Sequence, residues 1–194
     1  MQISGAGINL IKQFEGFVPT PYNDGYGNLT IGYGHKIRPG ERFGRITESQ
    51  ALQLLAEDVG EAENAVNSLV AVPLTQSQFD ALVSLVYNWG EPNFSRSSHL
   101  KRLNAGDYAG AAQRLGEHPV TSGGVYSRGL ANRRAAEKAL FLREGLPTGG
   151  PLAAPAEAPA GAESFPDMFP AQDSLLPLFL IFGGGLALLL WLDE

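Results

Sequence analysis

Two carboxylic acids and a hydroxyl lie close together near the start of this 194-residue chain: Glu15, Asp24 and Thr30. Cleavage of a glycosidic bond needs an acid that keeps its proton to protonate the leaving oxygen, and a second carboxylate that activates water or attacks the sugar. Glu15 follows Ile8, Ile11 and Phe14 at helical spacing and precedes Gly16, so it is expected in the last turn of a helix. The unpaired carbonyls at such an end oppose ionisation. Phe14 and Phe17 are expected to bury the group, which acts in the same sense. Asp24 sits in a turn-forming run with Gly25 behind it, where a short carboxylate can face a cleft and stay charged. Thr30 falls on the strand expected next, where a hydroxyl can hold a water near Asp24. Each residue also has a plain structural reading: a solvated helix-end Glu, an Asp-Gly turn, a good strand former.

These residues need a scaffold. Ser4 is positioned to cap the first helix, and Thr47-x-x-Gln50 and Thr75-x-x-Gln78 are capping boxes. They open helices with Ala51, Leu54, Leu55, Ala62, Val66 and Leu69, then Phe79, Leu82, Val83 and Val86, facing inward. Asp107 is expected to cap a helix carrying Ala111, Ala112 and Leu115, and a last helix is expected over about residues 129–143. Between Phe17 and Gly44 the turn residues around Asn23 and Asp24, then alternation over Leu29–Tyr33, predict a small β-hairpin. The expected class is α+β, mostly helical, with a short sheet near the N-terminus.

Glu15, eight residues, Asp24, five residues, Thr30 resembles the catalytic spacing of the phage-type lysozymes, the endolysin group of glycoside hydrolase family twenty-four. The resemblance extends through Phe14-Glu-Gly-Phe17, Pro21-Tyr22, Leu29-Thr-Ile-Gly-Tyr-Gly-His35, Tyr87-Asn-Trp-Gly90, Asn93-Phe94, and Gly129-Leu-Ala-Asn-Arg-Arg134 with Glu137. It covers about residues 4–145. It implies a two-lobed fold, a small β-hairpin lobe and a larger helical lobe, with the cleft between them. It also implies that Glu15 protonates the glycosidic oxygen, Asp24 acts as base or electrostatic partner, Thr30 positions the attacking water, and the anomeric carbon inverts. By the same resemblance Arg133 pairs with Glu15 or its surroundings, and His35 is a structural polar residue of the small lobe. Read alone, Arg133 is equally a surface charge on a helix. Asn88 and Gly90 either contact sugar at the cleft or pack the end of the central helix.

The implied substrate is the peptidoglycan glycan strand, cut at the β-1,4 bond between N-acetylmuramic acid and N-acetylglucosamine. A lytic transglycosylase, which needs only the acid, and a non-catalytic wall-binding component of a virion or membrane are the alternatives. Residues 1–145 form the expected catalytic domain and carry fourteen basic and fourteen acidic residues. The net charge of −6 therefore comes entirely from the tail, and no basic block speaks for nucleic acid. With no cysteine there is no disulfide or thiolate metal site; His35, His99 and His118 lack ligand spacing, and no cofactor is implied. The Gly25-x-Gly27 and Gly32-x-Gly34 pairs are not framed as a nucleotide loop.

Residues 146–173 are rich in Pro, Ala and Gly and read as an extended linker. Residues 174–194 hold the uncharged run Leu175–Leu192, which spans about 27 Å as a helix, close to a bilayer core. Trp191 suits the interface, while Pro177 and Gly183-Gly-Gly185 weaken a lone helix. The expectation is a C-terminal transmembrane anchor in the host inner membrane or a virion membrane, with the catalytic domain on the periplasmic wall. Lipid, and holin or virion membrane proteins, are the expected partners besides the wall. Met1–Gly16 lacks the pattern of a secretory signal peptide.

Overall fold

The computed structural model describes residues 1–146, apart from Tyr26, His118, Pro119 and Gly123. The expected linker beyond Leu146 and the expected anchor over 174–194 lie outside the described residues. Among the described residues no helix is long and apolar enough to cross a membrane.

Helix α1 (Gly5–Glu15) starts where Ser4 Oγ accepts the Ala6 N–H, and stops at Gly16, whose φ of 68° no β-carbon-bearing residue adopts readily. The chain then enters β1 (Val18–Asn23), β2 (Leu29–Gly32) and β3 (His35–Lys36), an antiparallel sheet in that order. Pro19 and Pro21 cannot donate to a ladder, and they are tolerated because β1 is an edge strand with an irregular register between Val18 and Tyr22.

The rest is helical: α2 (Glu48–Leu69), α3 (Gln76–Trp89), α4 (Glu91–Ser95), α5 (Ser98–Asn104), α6 (Tyr108–Glu117) and α7 (Arg128–Leu142). A two-stranded hairpin, β4 (Thr121–Ser122) and β5 (Val125–Tyr126), precedes α7. Both capping boxes form, at Thr47 and Thr75, and Asp107 Oδ1 accepts the Gly110 N–H at 2.8 Å to open α6. The core centres on α3, buried continuously from Ser77 to Val86, and α1, α2 and α7 pack around it. The sheet joins this body through the β2–α2 contact, where Ile31 and Ile46 are buried with Ala51 and Leu55. The architecture is α+β and mostly helical, as expected.

Candidate active site

Glu15 ends α1, where the chain turns into the sheet, and it is only 7% exposed. Its surroundings differ from the aromatic burial expected from its neighbours in sequence. Arg133 Nη1, from α7, donates to Glu15 Oε1 at 2.6 Å. Phe14 packs its ring 5.7 Å from the Arg133 guanidinium carbon, while Phe17 leans on Tyr33 and is 37% exposed. Glu15 is therefore enclosed by a guanidinium as well as by an aromatic ring. The other oxygen, Oε2, lies against Gly34, where a β-carbon would come within 3.3 Å of it. Glycine at 34, with φ of 91°, gives this carboxyl its room.

Asp24 follows β1. Asn28 grips it with both donors, its backbone N–H to Oδ1 at 3.0 Å and its side-chain amide to Oδ2 at 2.7 Å. The Asp24 N–H returns a bond to the Asn28 carbonyl at 3.0 Å, which closes the loop into β2. The Asp-Gly turn reading is thus correct, and the same turn fixes the carboxylate. Thr30 on β2 faces Tyr22 of β1 in register and is 3% exposed. Its Oγ1 is buried with no hydrogen-bond partner among the described residues.

Tyr22 ties the carboxylates to one neighbourhood. Burial raises its pKa above the ordinary phenol value, and the charges of Glu15 and Asp24 add to the rise. Tyr87 Oη, on α3, donates to the Tyr33 carbonyl at 2.9 Å and lies beside the same space as Gly34 and Glu15. Its pKa is driven up by burial and then by Glu15. Neither tyrosine stood out in the sequence as a site residue.

The remaining candidates separate. Arg133 is 2% exposed and sits in an ionic cluster with Arg134 and Glu137, so it is no surface charge. Asn88 Oδ1 accepts from Arg134 Nη2 at 3.0 Å, an internal partner. Gly90 ends α3 at φ of 85°, and its N–H returns to the Val86 carbonyl at 2.7 Å. His35 is 1% exposed and engages a separate pair of carboxylates, with Nδ1 2.8 Å from Asp58 and Nε2 3.1 Å from Glu41. It braces β3 against α2. Glu137 and Ser84 of the buried cluster carried only a helical-segment signal or none.

A helical body, a small sheet and a glutamate at their junction together define a lysozyme-like protein. The family described as phage lysozyme matches residues 12–137. An endolysin of Acyrthosiphon pisum secondary endosymbiont phage 1 is 41% identical over 73% of this chain and 98% of its own length. Among solved structures, the muramidase domain of SpmX from Asticaccaulis excentricus aligns with a TM-score of 0.67 at 42% identity, over 73% of this chain and 97% of that one. The endolysin from Escherichia coli O157:H7 phage FAHEc1 aligns with a TM-score of 0.67 at 42% identity, over 76% and 97%. The chain belongs to the phage lysozyme family and is a lysozyme of the endolysin type.

Proposed function

We propose that this lysozyme hydrolyses peptidoglycan at the β-1,4 bond between N-acetylmuramic acid and N-acetylglucosamine, with inversion. Glu15 is the general acid. Arg133 holds Oε1, which leaves Oε2, in the room that Gly34 gives it, to carry the proton to the leaving oxygen. Asp24, oriented by Asn28, is the base or electrostatic partner, and the Thr30 hydroxyl positions the attacking water. The observation that carries the reading is Thr30 Oγ1, a buried hydroxyl without a partner among the described residues, beside the strand that leads to Asp24. A buried polar group left unpaired by the protein costs stability, so its retention speaks for a task. A lytic transglycosylase uses no water and has no need of that group.

Loss of turbidity by outer-membrane-permeabilised bacteria tests the assignment. The full chain clears them, and Glu15→Gln is expected to be slower by about 10²–10⁴-fold, the usual worth of a general acid. Undiminished lysis by Glu15→Gln overturns the role. Mass spectrometry of the digest is expected to find hydrated reducing ends; anhydro sugars would identify a transglycosylase. The uncharged run Leu175–Leu192 supports a membrane tether. Deleting residues 174–194 is expected to release the enzyme from the membrane fraction.

A further inference from the structure

Glu137 has no part in the mechanism above, yet it is wholly buried and charged neighbours crowd it. Arg133 Nε donates to its Oε1 at 3.1 Å, Arg134 Nη2 to the same oxygen at 2.9 Å, and Ser84 Oγ at 2.7 Å. Arg134 Nε stands 2.9 Å from Oε2. Arg133 in turn passes Nη1 to Glu15 and Nη2 to the Ser84 carbonyl at 3.2 Å. Glu15, Arg133, Glu137 and Arg134 are all under a tenth exposed, and their formal charges sum to zero. Packing does not explain this group, since apolar side chains of similar volume generally stabilise a core as well as buried ion pairs do. The charge balance on Glu15 does. Without Glu137, Glu15 would be the sole anion facing the cluster's paired guanidiniums.

We propose that Glu137 is a positioning residue of the reaction, aiming and neutralising Arg133 so that Glu15 is held in place without being locked in its ionised form. This rests on the reading of Glu15 as the general acid. Burial holds the Glu137 pKa above the ordinary glutamate value, with Arg134, Arg133 and the Ser84 hydroxyl pulling against it; two guanidiniums within hydrogen-bond distance are the geometry of an ionised carboxylate. The charged and titratable groups around the cluster are Glu15 from α1, Tyr22 from β1, Asp24 after it, and Tyr87 from α3, with Asp58 of α2 acting on Tyr87. Both tyrosines are raised above the phenol range and stay neutral, so carboxyl groups govern the balance.

The test is the pH profile of kcat/KM for the full chain, which reports ionisations of the free enzyme. Glu137→Gln keeps the shape and the acceptor but leaves the cluster at +1. Its alkaline fall in activity is expected about one pH unit or more below that of the parent. Arg134→Gln leaves the cluster at −1 and is expected to move the fall upward. The double variant restores zero and is expected to return the limb near its original place. A merely structural role would lower the rate at every pH with the limb unmoved in all these variants, and that result overturns the proposal. Should Glu137→Gln not fold, the opposite shift in Arg134→Gln decides. Glu15→Gln, run alongside, separates the failures. If it is active the acid assignment falls; if it is inactive and the limbs stay still, only the role of Glu137 falls.

Discussion

At the scale of single residues, a catalytic side chain is recognisable by what it costs the fold. Thr30 illustrates this. The residue is buried while Oγ1 finds no acceptor or donor among the described residues. A threonine-to-valine change is normally poor because it discards a hydroxyl bond. Here there is no such bond among the described residues to lose. An unsatisfied buried hydroxyl costs about 1–3 kcal/mol. Thr30→Val is therefore expected to raise the melting temperature by roughly 2–4 °C for each kcal/mol regained. The same variant is expected to lose activity by about a hundredfold or more, within the range of a positioned proton-transfer group. Melting curves paired with turbidity rates check both halves, and a destabilised variant with intact activity would make Thr30 a structural residue only.

Elements position these groups through close contacts that sequence shows unevenly. Helix α1 delivers Glu15, and Gly7 sets how near α1 lies to α3. A β-carbon at 7 would come within 2.5 Å of Ile3 Cγ1 and 2.9 Å of Asp80 Cβ. Ile3 can swing aside, but Asp80 is fixed by Ser4, whose N–H donates to Oδ1 at 2.9 Å and whose hydroxyl donates to Oδ2. Gly7→Ala is expected to lower stability by about 1–3 kcal/mol through overpacking, although alanine is the better helix former by about 1 kcal/mol. Chemical denaturation checks it, and a more stable Gly7→Ala would show that α1 yields freely. The helix starts were legible because caps are local: Ser4, Thr47, Thr75 and Asp107 each act within three residues. The short helices α4 and α5 and the hairpin β4–β5 are too brief to show a period. Helix α7 was legible as an element from its local signals, but its place at the site came only from the resemblance that pairs Arg133 with Glu15, because its buried face holds Arg133, Arg134 and Glu137 with Phe141. Apolar periodicity does not register a charged inner face. Nor does any local pattern announce that Arg133 meets a carboxyl 118 positions earlier.

For the whole molecule, the cluster that braces the sheet against α2 sets how stability varies with pH. His35 has Asp58 on one ring nitrogen and Glu41 on the other, and Arg38 lies 3.3 Å from Asp58 and 3.1 Å from Glu61. Burial pulls the His35 pKa down, but the hydrogen bonds to Asp58 and Glu41 outweigh it and hold it above the ordinary 6.5. A raised folded-state value means the histidine's contribution is complete below the unfolded pKa and disappears as pH climbs through the folded one. Glu41 moves the other way, lowered by the Arg38 N–H and then by His35, so its contribution is present above its ordinary 4.5 and is lost on acidification. Asp58 is raised by burial, with His35 and Arg38 pulling it down, so it adds nothing to stability on the alkaline side. Together these directions put the cluster's greatest contribution at roughly pH 5–6.5, between the ordinary carboxylate and imidazole ranges. Denaturant unfolding at a series of pH values is expected to show stability falling as pH rises above the ordinary imidazole value of 6.5 and through the raised one of folded His35, and His35→Gln is expected to be less stable but to lack most of that decline. Subtracting the variant's curve from the parent's isolates this histidine from His99 and His118. A difference that stays constant across neutral pH would mean that His35 is held neutral, and that hydrogen bonding alone joins β3 to α2.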